Sequence, residues 1–279
     1  MKVTYFGTTT LLFDDGADQI LFDAHFTRPS LLKYLIGSCS TDTEMADELM
    51  EKHPMDRLSA IFISHTHHDH VLDMPYIAEK SGAKIYGSSS AMNVARGGGI
   101  GEDRLTEFEA GQSYEVGDFT VKVLKSLHSK PTVFNNDLGK TIDKPLRQPA
   151  KLRSYAEGGS YDFYVENKGK KYLIRPSFNY IEGQLDGYEA DVLFLGVAGL
   201  AKADAETEKR FFEETVEKVK PELVIPLHWD NFFVPLSGPA YRMYRVIEKN
   251  EEALFRLVKY CEDRGVDCIV QLPRTSVEI

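Results

Sequence analysis

The chain of 279 residues is 42% hydrophobic and 27% charged, an ordinary globular composition that can bury a sizeable core. Its formal net charge of −10 argues against a nucleic-acid-binding protein, because such proteins usually present a basic face. The three cysteines lack the close spacing of a disulfide framework, and no apolar run approaches the ~20 residues that span a bilayer. The opening residues also lack the pattern of a signal peptide. We therefore expect a cytoplasmic protein without a membrane span, and a homo-oligomer stays open.

Short strands separated by tight turns dominate the first quarter of the chain, as shown by the segments VTYF, TTLLF and QILFD. Residues 29–55 differ, because SLLKYLIG and TDTEMADELMEKH have helical patterns, with Thr41 or Asp42 as the N-cap of the second. Since this piece interrupts a strand-rich region, we predict a helical insertion over about residues 26–57 that covers one end of a sheet.

Strands and helices alternate through the rest of the chain. AIFIS (60–64) is a strand apolar enough to be buried on both faces, and a helix follows at about 71–81. Residues 129–159 contain three prolines and no period, which favours a long active-site loop. A later helix is predicted over 204–220 with Asp204 as its N-cap, and residues 240–264 are predicted to form one or two helices. The remaining predicted strands are AKIYGS, LTEFEA, QSYEVG, FTVKVLKS, YDFYVEN, KKYLIR, DVLFLGVAG, LVIPLH and VDCIVQL. No clean linker is visible, so we predict one domain over residues 1–279.

The segment IFISHTHHDH, residues 61–70, contains four of the eight histidines of the chain. Residues two apart on a strand point the same way, so His65 and His67 can aim at one point as AIFIS ends. Asp69 and His70 follow where the chain should turn into a helix, which can bring them to a neighbouring point. Crowded imidazoles would repel one another if protonated and would leave polar atoms unpaired if buried neutral. A bound cation resolves both problems.

Two further histidines end apolar strands in the same manner, His128 after FTVKVLKSL and His228 after LVIPL. The same-end exits of several strands in a layered sheet can converge on one site. His65, His67 and His128 would then supply three nitrogens and leave a fourth position open, as in catalytic zinc sites. A second set nearby would comprise Asp69, His70 and His228. Zinc is the first expectation for ligands rich in imidazole, with manganese and iron as alternatives.

The residues HTHHDH at 65–70 resemble the H-x-H-x-D-H motif of the metallo-β-lactamase superfamily, and His128 and His228 match its later histidine motifs. Asp23, at the end of QILFD, matches the aspartate that orients the metal-binding loop in that superfamily. The resemblance implies an α/β (α+β) fold, a four-layer αββα sandwich with the site at one edge. Within the superfamily, the opening of the chain and the stretch from VARGGG to LHS are most similar to the L-ascorbate 6-phosphate lactonase-like branch.

One motif of that superfamily is missing. The resemblance implies a metal-bridging aspartate after the strand that follows the long loop, but here KKYLIR precedes PSFNY and places Ser177 at that position. The nearest aspartates, Asp162 and Asp186, do not directly follow this strand. A neutral hydroxyl screens the repulsion between two dications less than a carboxylate does. Three outcomes stay open: one metal, two metals with a weak second one, or a site with altered chemistry. We expect one firmly bound metal and a weaker second one.

The leading hypothesis is a metal-dependent hydrolase in which a metal-bound hydroxide attacks a carbonyl or phosphoryl centre. Its small-molecule substrate would be a lactone, an amide or a phosphoester, with an anionic one left open. Asp69 would hold a metal or orient the attacking water. The rival hypotheses are a metal-binding protein whose hydrolytic activity is altered or lost because of Ser177, and a nucleic-acid phosphodiesterase, which the net charge disfavours.

Aromatic and basic residues near these motifs are candidates for contact with the substrate. His25, Tyr180, Trp229 and Phe232 are expected at a substrate pocket, although a strand-end polar contact for His25 and core positions for the aromatic residues are equally reasonable. Cations of the long loop either attract an anionic substrate or are simply solvated; they are Lys130, Lys140, Lys144, Arg147, Lys151 and Arg153.

Overall fold

The computed structural model describes residues 1–131, 136–238 and 242–279, which form two facing β-sheets with helices on the outside. Residues 132–135 of the predicted active-site loop and residues 240–241 of the predicted helix 240–264 lie outside the described part. The strands are β1 (Lys2–Gly7), β2 (Thr10–Asp14), β3 (Gln19–Phe22), β4 (Ser38–Cys39), β5 (Leu58–Phe62), β6 (Lys84–Gly87), β7 (Leu105–Glu107), β8 (Ser113–Val116), β9 (Phe119–Ser126), β10 (Ala150–Lys151), β11 (Ser160–Asn167), β12 (Lys170–Arg175), β13 (Val192–Gly196), β14 (Leu223–Leu227), β15 (Asp267–Cys268) and β16 (Thr275–Glu278). The α-helices are α1 (Leu31–Ile36), α2 (Thr43–Lys52), α3 (His68–Val71), α4 (Met74–Ser81), α5 (Ser89–Gly97), α6 (Ala205–Glu214), α7 (Val216–Val219) and α8 (Asn250–Glu262).

Each of the two large sheets has seven strands. The first has the order β16-β1-β2-β3-β5-β6-β7 and the second β15-β14-β13-β12-β11-β9-β8, while β4 and β10 pair separately. Strands β3, β5, β6 and β7 run parallel, as do β12, β13, β14 and β15. Strand β9 shares the direction of β12 because both are antiparallel to β11. The carboxyl ends of β9, β12, β13 and β14 therefore lie at one edge of the second sheet.

Aromatic side chains fill the space between the sheets. Phe13 of the first sheet lies 5.4 Å from Phe194 of the second, and the Phe22 and Phe163 rings are 5.2 Å apart, measured between centroids. All four side chains are buried, so apolar burial holds the sheets together. Helices α2, α4 and α5 pack on the outer face of the first sheet, and α6, α7 and α8 pack on the second. The predicted αββα sandwich is confirmed.

Local signals place several elements correctly but not all their boundaries. Asp42 and Asp204 accept hydrogen bonds from the N–H groups of Met45 and Thr207, so both predicted aspartates cap helices. The helix predicted over 204–220 breaks at Thr215, whose hydroxyl donates to the Phe211 carbonyl and competes with the helical backbone pattern.

Two other predicted segments also differ from the structure. The helix predicted over 71–81 instead forms α3 and α4. Only residues 267–268 of VDCIVQL form a strand, and the chain closes on β16, which pairs with β1 and was not predicted because TSVE is polar and exposed. Among the described helices, the longest, α8, has 13 residues, fewer than the ~20 needed to cross a bilayer.

Candidate metal centre

The predicted metal ligands all follow strands that end at one edge of the sandwich. His65 and His67 come shortly after β5, His128 two residues after β9, and His228 directly after β14. His67 is the N-cap of α3, so one helical turn folds Asp69 and His70 back beside the strand exit. The convergence arises because these strands share a direction within each sheet.

Six side chains form two adjacent groups of three, which we call the first and second trio. The first trio is His65, His67 and His128, and the second is Asp69, His70 and His228. Within each trio, the ligand atoms lie within 4.8 Å of one another. The rings of His65 and His70 join the trios, with their centroids 3.7 Å apart. His68 belongs to neither trio, as its opposite phase in the motif predicts.

The hydrogen bonds around the first trio determine which ring nitrogens face inward as acceptors. His67 Nε2 lies 3.1 Å from a carboxylate oxygen of Asp137, and His128 Nδ1 lies 3.0 Å from the Ser129 carbonyl. Both partners are acceptors, so each of these outer nitrogens carries the proton in the neutral ring. His67 Nδ1 and His128 Nε2 are then both lone pairs, and they face each other across 3.2 Å. Two facing lone pairs repel unless a cation lies at this point.

His65 completes the first trio with an inward nitrogen of the same kind. Its Nδ1 lies 3.2 Å from the Ser64 hydroxyl, which itself bonds to Asp23, whereas its Nε2 is buried without a hydrogen-bond partner. Burial and then the neighbouring imidazoles hold the pKa of His65 well below its usual range. Burial likewise lowers the pKa of His128 to about 4. The His65 and His128 rings are therefore neutral near pH 7, as metal ligation requires.

The second trio resembles the first, but the carboxylate of Asp69 stands in place of one imidazole. His70 Nδ1 lies 2.7 Å from Asp23 Oδ2, so its Nε2 is the inward acceptor and lies 3.8 Å from Asp69 Oδ2. Asp69 Oδ2 is also 3.3 Å from His228 Nε2. Burial alone would raise the pKa of Asp69, but His70, His228 and His68 hold it well below its usual range. Burial alone would lower the pKa of His228, but the contact with Asp69 raises it, so His228 Nε2 would release a proton when a cation binds. The ionised carboxylate, the inward lone pair of His70 and the remaining imidazoles are donor types that suit a metal, so both trios pass the test of donor chemistry.

Asp23 orients the His70 ring of the second trio through a hydrogen bond. Its carboxylate is 1% exposed and accepts from the Thr9 hydroxyl at 2.5 Å and from the N–H and hydroxyl of Ser64, each at 2.8 Å, besides its bond to His70. The backbone φ of Asp23 is 53°, a left-handed conformation uncommon outside glycine, asparagine and aspartate. This geometry fixes the His70 ring, which is the orienting role that the sequence resemblance implies for Asp23.

Asp137 was not anticipated from the sequence. It lies in the long loop, with no strand exit or spacing to connect it to the histidine motif, so local patterns gave no signal. Only the folded loop brings its carboxylate to His67 Nε2.

Asp137→Asn should weaken metal binding by the first trio by roughly 10- to 100-fold, because carboxylates that orient ligating histidines contribute about that much. Competition with a chromogenic chelator measures the affinity. Asp143→Asn is the matched control, since Asp143 is an exposed aspartate of the same loop that contacts Thr141. An unchanged affinity for Asp137→Asn would remove Asp137 from the site.

A buried ion pair holds the segment that presents His228. Asp230 accepts from Arg28 Nη1 at 2.6 Å, from the Tyr5 hydroxyl at 2.8 Å and from the Thr8 N–H at 2.7 Å. The Thr8 carbonyl in turn accepts from the His228 N–H at 2.6 Å. Asp230 thus acts on His228 through the backbone of Thr8.

Gly7 is required beside this pair. Its φ is +95°, and a Cβ there would lie 1.9 Å from Arg28 Nη2.

A cavity of about 970 Å³ opens beside the two trios. Of the residues expected at a substrate pocket, Tyr180, Trp229 and Phe232 lie in its wall. His25 does not, since it is fully buried and its Nδ1 lies 3.1 Å from the Thr8 hydroxyl, as a strand-end polar contact. Among the described cations of the long loop, only Lys130 reaches the cavity wall; the remaining five, Lys140, Lys144, Arg147, Lys151 and Arg153, lie outside it.

Ser177 also lines this cavity, two residues after β12 ends. The residues that follow Ser177 bind the His128 loop: the Phe178 N–H donates to the Ser129 hydroxyl at 3.1 Å, and the Asn179 side-chain amide donates to the His128 carbonyl at 2.7 Å. The two alternative aspartates are engaged elsewhere: Asp162 is buried 3.0 Å from Arg175 Nε, and Asp186 pairs with Lys218. Neither belongs to the cavity wall.

Comparisons with known proteins agree with this architecture. A family model described as a β-lactamase superfamily domain matches residues 18–229. A UPF0173 protein of Pyrococcus furiosus is 25% identical over 232 residues, 83% of this chain and 85% of the relative. A UPF0173 metal-dependent hydrolase of Roseiflexus castenholzii is 24% identical over 218 residues, 77% of this chain and 82% of the relative.

A solved metallo hydrolase from Ignicoccus hospitalis superposes with a TM-score of 0.61 at 16% identity. The match covers 100% of this chain and 98% of that one, and at this identity it bears on the fold alone. Together with the two facing sheets and the HTHHDH motif at one edge, the family match shows that the chain belongs to the metallo-β-lactamase superfamily.

Proposed function

We propose that the protein is a metal-dependent hydrolase that uses the two trios as its catalytic centre. The observation that carries the proposal is the set of inward lone pairs, above all His67 Nδ1 and His128 Nε2 facing each other at 3.2 Å beside a large cavity. The name of the Roseiflexus relative, a metal-dependent hydrolase, supports the same reaction class.

The protein's own groups have distinct roles in this proposal. When bound, the cation supplies Lewis acidity and lowers the pKa of a coordinated water towards neutrality. Asp69 stays ionised, and its carboxylate, 3.3 Å from His228 Nε2, is placed to bind the cation or to orient the water by accepting a hydrogen bond from it. Asp23 and Asp137 hold the rings of His70 and His67 in the tautomers that keep their lone pairs inward. Trp229 and Phe232 restrict water on one side of the site.

Zinc is the metal we propose first, because five of the six ligands are imidazoles, with manganese and iron as alternatives. We further propose that the first trio binds tightly and the second more weakly. Ser177 supports this order, since the second cation then has no bridging carboxylate from β12 to offset its repulsion from the first. The placement in the lactonase-like branch rests on sequence resemblance, and hydrolysis at a carbonyl or phosphoryl centre is the reaction that this branch implies.

A metal-stripped and reconstituted preparation tests the proposal. Protein loaded separately with zinc, manganese or iron would be offered lactones, carboxylic esters, amides, thioesters and phosphodiesters, with the stripped protein as control. We expect turnover of at least one carbonyl or phosphoryl substrate only when metal is present. If loaded protein turned over none of them, the metal-binding alternative without hydrolysis would replace this proposal. Preferred cleavage of nucleic acid would favour the phosphodiesterase alternative.

A further inference from the structure

The walls of the cavity beside the trios are largely aromatic and aliphatic. The ring of Phe232 meets that of His228 edge-on, with 5.3 Å between centroids, and Trp229 follows His228 in the chain. Farther along the wall, Phe178 packs on Phe211 with 4.3 Å between their centroids. A cavity of about 970 Å³ with such walls is at the upper end of those that bury a drug-sized apolar ligand.

The few charged side chains of the described wall are engaged with the protein itself. Lys202 donates to the Ile247 carbonyl, and its Nζ lies 4.0 Å from Glu248. Glu182 accepts from Arg210 at 2.8 Å, and Asp204 caps α6. The remaining described lysine of the wall, Lys130, is solvent-exposed. Among its described residues, the wall therefore offers no buried lysine or arginine that could bind an anionic tail.

The apolar surface continues from the cavity to the outside of the molecule. Leu127 and Val246 both line the cavity and remain 45% and 90% exposed, respectively. Large apolar side chains with this much exposure at a cavity mouth extend the surface that an apolar ligand can cover. The cavity can thus hold the inner part of an elongated ligand while its outer part lies along this mouth.

We infer that the cavity binds an uncharged, elongated apolar tail attached to the carboxylic ester, amide or lactone that the metal centre hydrolyses. This inference rests on the hydrolase function proposed above and disfavours the anionic substrate that the sequence left open. In the reaction, the oxygen of water bonds to the carbonyl carbon, the bond to the alcohol or amine breaks, and a proton passes to that leaving group. The products are a carboxylic acid and an alcohol or amine, or a hydroxy acid from a lactone.

The test measures binding separately from turnover. Metal-loaded protein would be titrated by calorimetry with linear primary carboxamides of increasing chain length. A second series would be the same carboxamides with a carboxylate at the far end of the chain. Each added methylene should tighten binding about three- to fourfold until the tail passes the mouth. The carboxylate-ended chains should bind at least tenfold more weakly than the uncharged ones. Affinities that do not depend on length, or tighter binding of the carboxylate-ended chains, would overturn the inference.

Val246→Asp tests the path of the tail, and Val258→Asp is its matched control on α8, where Val258 is 39% exposed and outside the cavity wall. Because Val246 is exposed, its substitution should leave the fold intact. We expect Val246→Asp to weaken the longest carboxamides several-fold and to leave the shortest unchanged, with no effect of Val258→Asp. Equal binding by both variants would place the tail elsewhere and overturn the proposed path.

Esters with the same tails separate this inference from the proposed function. Turnover that rises with tail length supports both. Length-dependent binding without turnover of any ester would contradict the hydrolase while leaving the apolar tail site in place. Turnover that does not depend on tail length would support the hydrolase and contradict the apolar tail site.

Discussion

Replacing His67 by alanine should empty the first trio of metal and lower hydrolysis by roughly a thousandfold or more, since the lost metal contributes several kcal/mol of transition-state stabilisation. The effect should be large because His67 Nδ1 lies 3.2 Å from His128 Nε2 within this trio, and the two imidazoles that remain would hold a dication poorly. Elemental analysis of the purified variant measures metal per chain, and turnover of the best ester or lactone measures activity.

His53→Ala is the matched control, because His53 lies at the end of α2 and outside both trios. It should retain the metal content and turnover of the unmodified protein. If His67→Ala kept its full metal content, the first trio would not be the tight site. If it lost the metal yet kept its activity, the proposed chemistry would be wrong.

Ser177→Asp should raise the affinity for a second metal by roughly a hundredfold or more. One charge pair at 4 Å contributes about 4 kcal/mol at an effective dielectric constant of 20, and a bridging carboxylate would interact with two dications. We expect the metal content to rise from about one to two per chain under limiting metal. Titration with metal, followed by elemental analysis after gel filtration, gives both numbers.

Ser177→Asn is the control for shape, because asparagine has nearly the size of aspartate but no charge. This variant should not raise the affinity for the second metal. Two tightly held metals in the unmodified protein, with no gain in Ser177→Asp, would show that Ser177 does not occupy the bridging position. The same result would remove the proposed difference in affinity between the trios.

Much of the site could be predicted from local sequence because its ligands sit at strand ends. The alternation within AIFISHTH predicted that the side chains of His65 and His67 point the same way. The helical turn that follows predicted that Asp69 and His70 return beside them. His128 and His228 could be added because each ends an apolar strand. The caps Asp42 and Asp204 were equally readable, since a cap depends on the next three residues only.

Other features depend on contacts between distant parts of the chain. The carboxylate of Asp137 reaches His67 across 70 positions, and Arg28 reaches Asp230 across 202. Loop cations that looked suited to an anionic substrate mostly lie outside the cavity, and His25 is buried instead of lining it. Strand β16 joins the first sheet only because β1 has a free edge for it.

The sequence by itself therefore determined the superfamily, and it predicted the candidate ligands and their two groups, because strand and helix periods act over a few residues. The tertiary structure decided which nitrogens face inward, which carboxylates orient them, and that the cavity wall is apolar. These properties depend on hydrogen bonds and burial that exist only after the two sheets have packed face to face.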